Sequence, residues 1–233
     1  ELARRFVEGD RHAGLAAGVE LAEAGVPVTL YESARQLGGR ARQVEWQGLR
    51  IDNGQHLMVG AYSETLRLLA RLGTLSGLER RRLDLRVPGF RLHLPGLPRP
   101  LHLASGLLTA QGLGLAEKWA AARLMRTLQR QRFRLSHDRT ATALLAEHRQ
   151  PAALVDQLWE PLCVAALNTP LTQASAQIFC NVLRDSLAGP RDASDLLFNR
   201  TDLGRLFPAA AAARIVAAGG TVRLGARVEA VTQ

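Results

Sequence analysis

The sequence predicts an α/β fold: a βαβ core built from the two ends of the chain, with a largely helical insert between them. Three observations carry that expectation. An alanine-rich stretch opened by glycine, Gly14-Leu15-Ala16-Ala17-Gly18-Val19-Glu20-Leu21-Ala22, leads into a short apolar strand that closes on an acid, Glu32. Six residues later comes Gly38-Gly39-Arg40. The last thirty residues or so return to alternating helix and strand character. Glycine entry, helix, second strand and terminal acid form the mononucleotide half of a Rossmann-like, dinucleotide-binding unit. A carboxylate at the strand's end can accept hydrogen bonds from both hydroxyls of an adenosine ribose. The Gly-Gly-Arg turn lets bare backbone approach a phosphate with a guanidinium behind it.

The elements follow from local signals. A short first strand, Arg4 to Glu8, precedes the glycine loop. The helix His12–Ala24 ends at Gly25, suited to a left-handed cap, and the second strand covers Val26–Tyr31. Val44–Ile51 reads as a hairpin around Gln47-Gly48 and runs into the polar turn Asp52-Asn53-Gly54-Gln55-His56. Ser63 is expected to cap a helix, Glu64–Leu72, that stops at Gly73. Phe90–Leu94 and Pro100–Ala104 alternate, and Pro95-Gly96-Leu97-Pro98 between them predicts a second hairpin. Leu115–Arg134 predicts a long helix burying the stripe Leu115, Trp119, Ala122, Met125 and Leu128. Helices are expected at Thr140–His148, at Ala152–Leu167 with a kink from Pro161, and at Thr172–Leu187. Asp195–Phe198 reads as a strand, Phe207–Ala218 as a helix, and Thr221–Leu224 and Arg227–Val231 as closing strands. The domain reading is therefore 1–64 and 201–233 for the nucleotide-binding part and 65–200 for the insert, which is mostly helical with a β-hairpin.

Composition bounds the function. The 233 residues are 47% hydrophobic, enough for one substantial core or two small ones. The net charge of +9 invites a nucleic-acid reading, but Lys118 is the only lysine among 30 basic residues and aromatics are 5%. The basic and aromatic interleaving of RNA binders is absent, so no nucleic-acid partner is expected. Cys163 and Cys180 form no CxxC pair and read as buried thiols of a reducing compartment. No signal peptide and no membrane-spanning run is evident, so a cytoplasmic protein, soluble or peripherally bound, is expected. Neither a GxSxG nucleophile motif nor histidines at metal-ligand spacing occur; His12, His93, His102, His137 and His148 are scattered, and no metal is expected. His56 is the one histidine at a plausible chemical post, and a hydrogen-bonded loop histidine is its plain alternative. Asp52 suits a turn cap better than proton transfer. The basic residues Lys118, Arg123, Arg126, Arg130, Arg132 and Arg134 of the long helix suit either a solvated face, which is preferred, or an anionic lipid surface.

Several tracts together resemble a known family. AGLAAGVELAEAGVPVTLYESARQLGGRARQ, DNGQHLMVGAYSETLRLL, WEPLCVAALNTPLTQASAQIF and DLLFNRTDLGRLFPAAAA are similar to the hydroxysqualene dehydroxylases, squalene-associated FAD-dependent enzymes of bacterial hopanoid synthesis. These group with phytoene desaturases and flavin amine oxidases. The Gly-Gly-Arg element belongs to the wider flavoprotein superfamily. The Asn-Gly-Gln-His turn and the tract from Trp159 to Pro170 narrow the resemblance to the squalene branch. It implies FAD as cofactor, an isoprenoid substrate (hydroxysqualene, giving squalene), and possible peripheral contact with the membrane. It further implies that Glu32 holds the adenosine ribose, that Gly9 and Gly14 belong to the pyrophosphate loop, and that Gly38, Gly39 and Arg40 face the flavin side of the pyrophosphate. Gly54, Gln55 and His56 would lie beside the isoalloxazine, and Val228 would meet adenine through its backbone. The loop departs from the family's GxGxxG, with Arg11 at the second glycine. Family members are longer, so the chain reads as a fragment. A carotenoid or phytoene-type desaturase, another amine oxidase-like enzyme, an NAD-dependent enzyme and a non-catalytic remnant that binds lipid surfaces remain as alternatives.

Overall fold

The computed structural model describes residues 5–7, 13–39, 42–52 and 57–230. In chain order the elements are β1 (Arg5–Val7), α1 (Ala13–Glu23), β2 (Val28–Glu32), β3 (Gln43–Trp46), β4 (Leu49–Asp52), β5 (Met58–Val59), α2 (Ser63–Arg71), β6 (Leu78–Arg81), β7 (Asp84–Val87), β8 (Phe90–His93), α3 (Leu101–Thr109) and α4 (Leu115–Arg130). Then come α5 (Ala141–Glu147), α6 (Ala152–Leu154), α7 (Glu160–Leu167), α8 (Ala176–Val182), β9 (Leu196–Asn199), α9 (Leu203–Leu206), α10 (Pro208–Ala217) and β10 (Thr221–Leu224). The chain divides into two compact units. One comprises Glu1–Met58, Tyr62–Arg80 and Leu197–Gln233; the other comprises Val59–Ala61 and Arg81–Leu196. Apart from the short segment Val59–Ala61, the second unit therefore runs from Arg81 to Leu196.

In the first unit β2 lies between β1 and β10, and both pairings are parallel. Val7 stands opposite Leu30, and Leu224 opposite Glu32. The apolar strand and the helices share one core: Leu15 and Val19 of α1, Val28 and Leu30 of β2, and Ala211 and Ile215 of α10 are all buried. Burying each large side chain stabilises the unit by about 1.5–3 kcal/mol. Gly18 permits the close approach of α1 to α10, since a Cβ there would sit 2.8 Å from Ile215 Cδ1. Arg71 of α2 pairs with Glu20 and Glu23 of α1, and Arg214 of α10 reaches Glu23 at 2.6 Å, so one surface ion network joins three helices. The β3–β4 hairpin turns at Gln47 (φ 50°) and Gly48 (φ 75°), as the sequence predicts. A second three-stranded sheet has the order β5-β9-β6.

The second unit is mainly helical. Its core gathers Leu124 and Leu128 of α4, Leu144 and Leu145 of α5, Leu154, Trp159, Phe179 and Leu183, all buried. Trp159 meets Phe179 edge to face, with centroids 6.3 Å apart, and its Nε1–H donates to Gln150 Oε1 at 3.0 Å. Thr140 caps α5 and Ser175 caps α8 through their side-chain oxygens. Ser175 in turn donates to Asp138 at 2.6 Å, which holds the Asp138 carboxyl below its ordinary pKa.

Several expectations are corrected. Residues Pro100–Ala104 are not a strand. The hairpin lies earlier, β7 pairing with β8 around Gly89 (φ 77°), and Leu101–Thr109 is helical. Gly106 explains the preference: a Cβ there would come within 2.4 Å of Leu94 Cδ2, so α3 packs flat on the residue that follows β8. Ser63 begins α2 but makes no capping bond; Tyr62 holds that position. Helix α4 ends at Arg130 and is rotated relative to the expected stripe. Ala120, Ala121, Leu124, Met125 and Leu128 face the core, while Leu115 and Trp119 lie outside. Pro161 does not kink one continuous helix. A π turn, Val155–Trp159, separates α6 from α7 and absorbs the proline. Another π turn, Leu183–Leu187, follows α8, which starts at Ala176 rather than Thr172. Residues 227–230 form no strand. The chain turns at Gly225 (φ 65°), and its next amides bond to the turn after β2.

Candidate functional site

The candidate site stands at the carboxyl end of β2, where parallel α/β sheets place their ligands. Glu32 closes that strand and is half-buried. Its Oε1 accepts the Ala34 N–H at 2.8 Å and the Ser33 hydroxyl at 3.3 Å, so the carboxylate shapes its own turn. Among the described residues Glu32 forms no ion pair, so no cation competes for the carboxylate there.

The segment leaving β10 folds onto the same turn. The Gly225 N–H donates to the Ala34 carbonyl at 2.9 Å and the Ala226 N–H to the Glu32 carbonyl at 3.0 Å. Val228, two residues further on, is half-buried. The structure therefore brings together Glu32 and the segment carrying Val228, 196 positions apart in the chain. Arg223 of β10 lies over the Tyr31 ring at 5.8 Å, bracing the two strands beside the acid.

After the turn come Gly38 (φ 101°, buried) and Gly39 (φ 51°), both in backbone conformations that disfavour a side chain. Arg42 follows, and its Nε is buried without a hydrogen-bond partner among the described residues. Sequence reasoning passed over this arginine, although its place two residues beyond Arg40 was a usable signal. Gly14 lies buried in the first turn of α1, the helix that connects β1 to β2. Gly9, Arg11, Arg40, Gly54, Gln55 and His56 lie outside the described residues. In the sequence Gly54, Gln55 and His56 fall between Asp52, which ends β4, and Met58, which opens β5. Asp52 accepts the Leu203 N–H at 3.1 Å, a bond to the start of α9 rather than the cap of its own turn that the sequence suggested.

The second unit holds three further groups with chemical potential. Burial pushes the Cys163 thiol up and the Cys180 thiol up to about 11, which leaves both protonated and inert near neutrality. His102 is 1% exposed, and neither ring nitrogen has a hydrogen-bond partner among the described residues. Burial, with Arg191 and Arg99 nearby, holds its pKa below the ordinary 6.5 and keeps it neutral. Among the described residues no group of three His, Cys, Asp or Glu could hold a metal ion.

The profile of flavin containing amine oxidoreductases matches residues 12–233. The chain belongs to that family. That family is, by its description, one of flavin containing oxidoreductases, and FAD is the cofactor it implies. Among curated relatives, the hydroxysqualene dehydroxylase of Rhodopseudomonas palustris is 30% identical over 228 residues, covering 94% of this chain and 52% of the relative. That of Zymomonas mobilis is 28% identical over 187 residues, covering 75% of this chain and 42% of the relative. The chain thus spans about half the length of these relatives. Among solved structures, an oxidoreductase from Methanosarcina mazei superposes with a TM-score of 0.63 at 14% identity, covering 96% of this chain and 51% of that one. At that identity the likeness speaks for the fold, and it agrees with the α/β core and helical insert expected from the sequence.

Proposed function

We propose that the chain binds FAD at the end of β2 and serves the reductive dehydroxylation of hydroxysqualene to squalene. The observation that supports the cofactor reading is the bonding of the segment leading to Val228 onto the turn at Glu32, which would offer a ribose acceptor and an adenine-facing backbone close together. The substrate comes from the hydroxysqualene dehydroxylases to which the chain is similar over nearly its whole length.

The described residues fit a dinucleotide. Gly38 and Gly39 adopt a turn that a Cβ would strain, as close backbone approach to a pyrophosphate requires, and Arg42, three residues on in the sequence, has a buried Nε–H without a partner among the described residues. Glu32 would accept the ribose hydroxyls. Gly9 and Gly14 would bring the start of α1 to the pyrophosphate, with Arg40 balancing its charge. Gly54, Gln55 and His56 would border the flavin ring. Reduced FAD, when bound, supplies the hydride that forms the new C–H bond as the substrate hydroxyl departs with a proton as water. His56 is the candidate to move a proton at that ring.

The substrate is a long isoprenoid hydrocarbon that partitions into bilayers, so a cytoplasmic protein in peripheral contact with the membrane goes with this reading. No helix among the described residues is long and apolar enough to cross a membrane. The test is product analysis with hydroxysqualene and reduced FAD. Squalene supports the reading. Desaturated products from phytoene with no squalene formed would replace it with the carotenoid-type alternative.

A further inference from the structure

The rotation of α4 leaves an apolar surface uncovered. Leu115 is 73% and Trp119 74% exposed, one helical turn apart on the same face. On α3, Leu101 is 54% and Leu108 68% exposed, two turns apart and again on one face. The two helices are tied at this corner, because the Lys118 ammonium donates to the Leu108 carbonyl at 2.7 Å. That bond holds Leu108 beside the first turns of α4, so exposed apolar side chains of both helices meet at one corner, with Leu101 further along the same face of α3.

Charge says what covers the corner. Between Asp84 and Asp138 the sequence carries nine lysines and arginines and a single acid, Glu117. Arg123 follows Trp119 by one turn, and Arg126 continues the exposed face two turns on. Leucines and a tryptophan at the leading edge, with arginines behind them and almost no carboxylate, match the boundary of an anionic bilayer. Apolar side chains enter the acyl region there, the indole sits at the headgroup level, and long basic side chains reach the phosphates. A protein partner of ordinary mixed charge would leave these arginines unmatched.

We propose that the α3–α4 corner is a bilayer-docking surface, with Leu101, Leu108, Leu115 and Trp119 inserted and Arg123 and Arg126 on anionic headgroups. Its purpose rests on the dehydroxylase reading, since it would bring the protein to the membrane that holds the substrate; its physics does not.

The test is co-sedimentation with phosphatidylcholine vesicles, with and without phosphatidylglycerol. The protein should bind the anionic vesicles, and added salt should weaken binding. Leu115→Ser with Trp119→Ser, and separately Arg123→Glu with Arg126→Glu, should each lower the partition coefficient by about tenfold or more while leaving the melting temperature unchanged. Failure of the unsubstituted protein to bind anionic vesicles overturns the proposal. So do variants that bind as well as the parent, and so does loss of a dimer by the Leu115 and Trp119 substitutions with vesicle binding unaltered. Vesicle binding that persists without squalene formation from detergent-dispersed hydroxysqualene would sink the substrate assignment and leave the docking surface standing.

Discussion

Replacing Glu32 by alanine probes the proposed cofactor site directly, and the structure sets the size of the effect. The side chain would serve two masters: its Oε1 already accepts the Ala34 N–H at 2.8 Å, and the ribose hydroxyls would take the remaining acceptor capacity. A hydrogen bond involving a charged group contributes about 1.5–3 kcal/mol, so losing the ribose contact should raise the FAD dissociation constant roughly 10- to 150-fold. Slackening of the Ser33–Ala34 turn would add to this, because the outgoing segment of β10 leans on the same residues. Glu32→Gln separates the two roles. The amide oxygen can still accept the Ala34 N–H, so the turn survives while the charged acceptor is lost, and most of the weakening should remain. The assay is quenching of FAD fluorescence, with melting curves to show that each variant folds. Unchanged FAD affinity in a folded Glu32→Ala protein would refute the ribose assignment.

Other outcomes follow from the same geometry. Gly112→Ala should destabilise the helical unit by about 2 kcal/mol or more in denaturant titrations, because φ is +85° and the new Cβ would lie 1.9 Å from the Gly89 carbonyl oxygen. His102 is held neutral in the folded state with a pKa below 6.5, so the unfolded chain binds the extra proton as pH falls. Stability carried by this group is full above pH 6.5 and is lost as pH drops below it; His102→Phe should flatten the melting temperature between pH 7 and 5.5, and an unaltered slope would contradict the assignment. Glu23 and Asp84 are held below their ordinary values by arginines, Arg71 foremost for Glu23 and Arg86 for Asp84. Their contribution is present above pH 4.5 and 3.8 respectively and fades below, so Arg71→Ala should reduce acid sensitivity in that lower range as well as stability at neutral pH. Cys163 and Cys180 should resist thiol reagents in the native state and react on unfolding, as a time course of labelling would record.

Local chemistry made the cofactor half of the fold legible. Gly25, Gly48 and Gly73 each adopt the positive φ that their turns demanded, and the strand ending at Glu32 pairs in parallel with β1 as a βαβ unit requires. The helical unit was harder to read. Alanines on several sides of α4 made two stripes nearly equivalent, and only tertiary packing chose the one that turns Trp119 outward. Leu101–Thr109 has alternating apolar residues that suit strand or helix, and the close fit of Gly106 on Leu94 decides the matter through a contact that the local pattern does not encode. The π turn before Pro161 ends at Trp159, whose ring meets Phe179 of a later helix, another contact that the local pattern does not encode. At the candidate site, the strand end at Glu32 was legible from local pattern, whereas Val228 came in only through the family resemblance. The bonds by which Gly225 and Ala226 fold that segment onto the Glu32 turn were not legible locally, because they need the chain to return after the whole insert.

The most direct test is an absorbance spectrum taken after incubation with FAD and gel filtration. If the acid at the end of β2 grips the adenosine half, the two flavin bands should travel with the protein in stoichiometric amount, be displaced by excess ADP and persist in excess FMN. Colourless protein after FAD loading, or flavin that FMN displaces and ADP does not, would contradict the account.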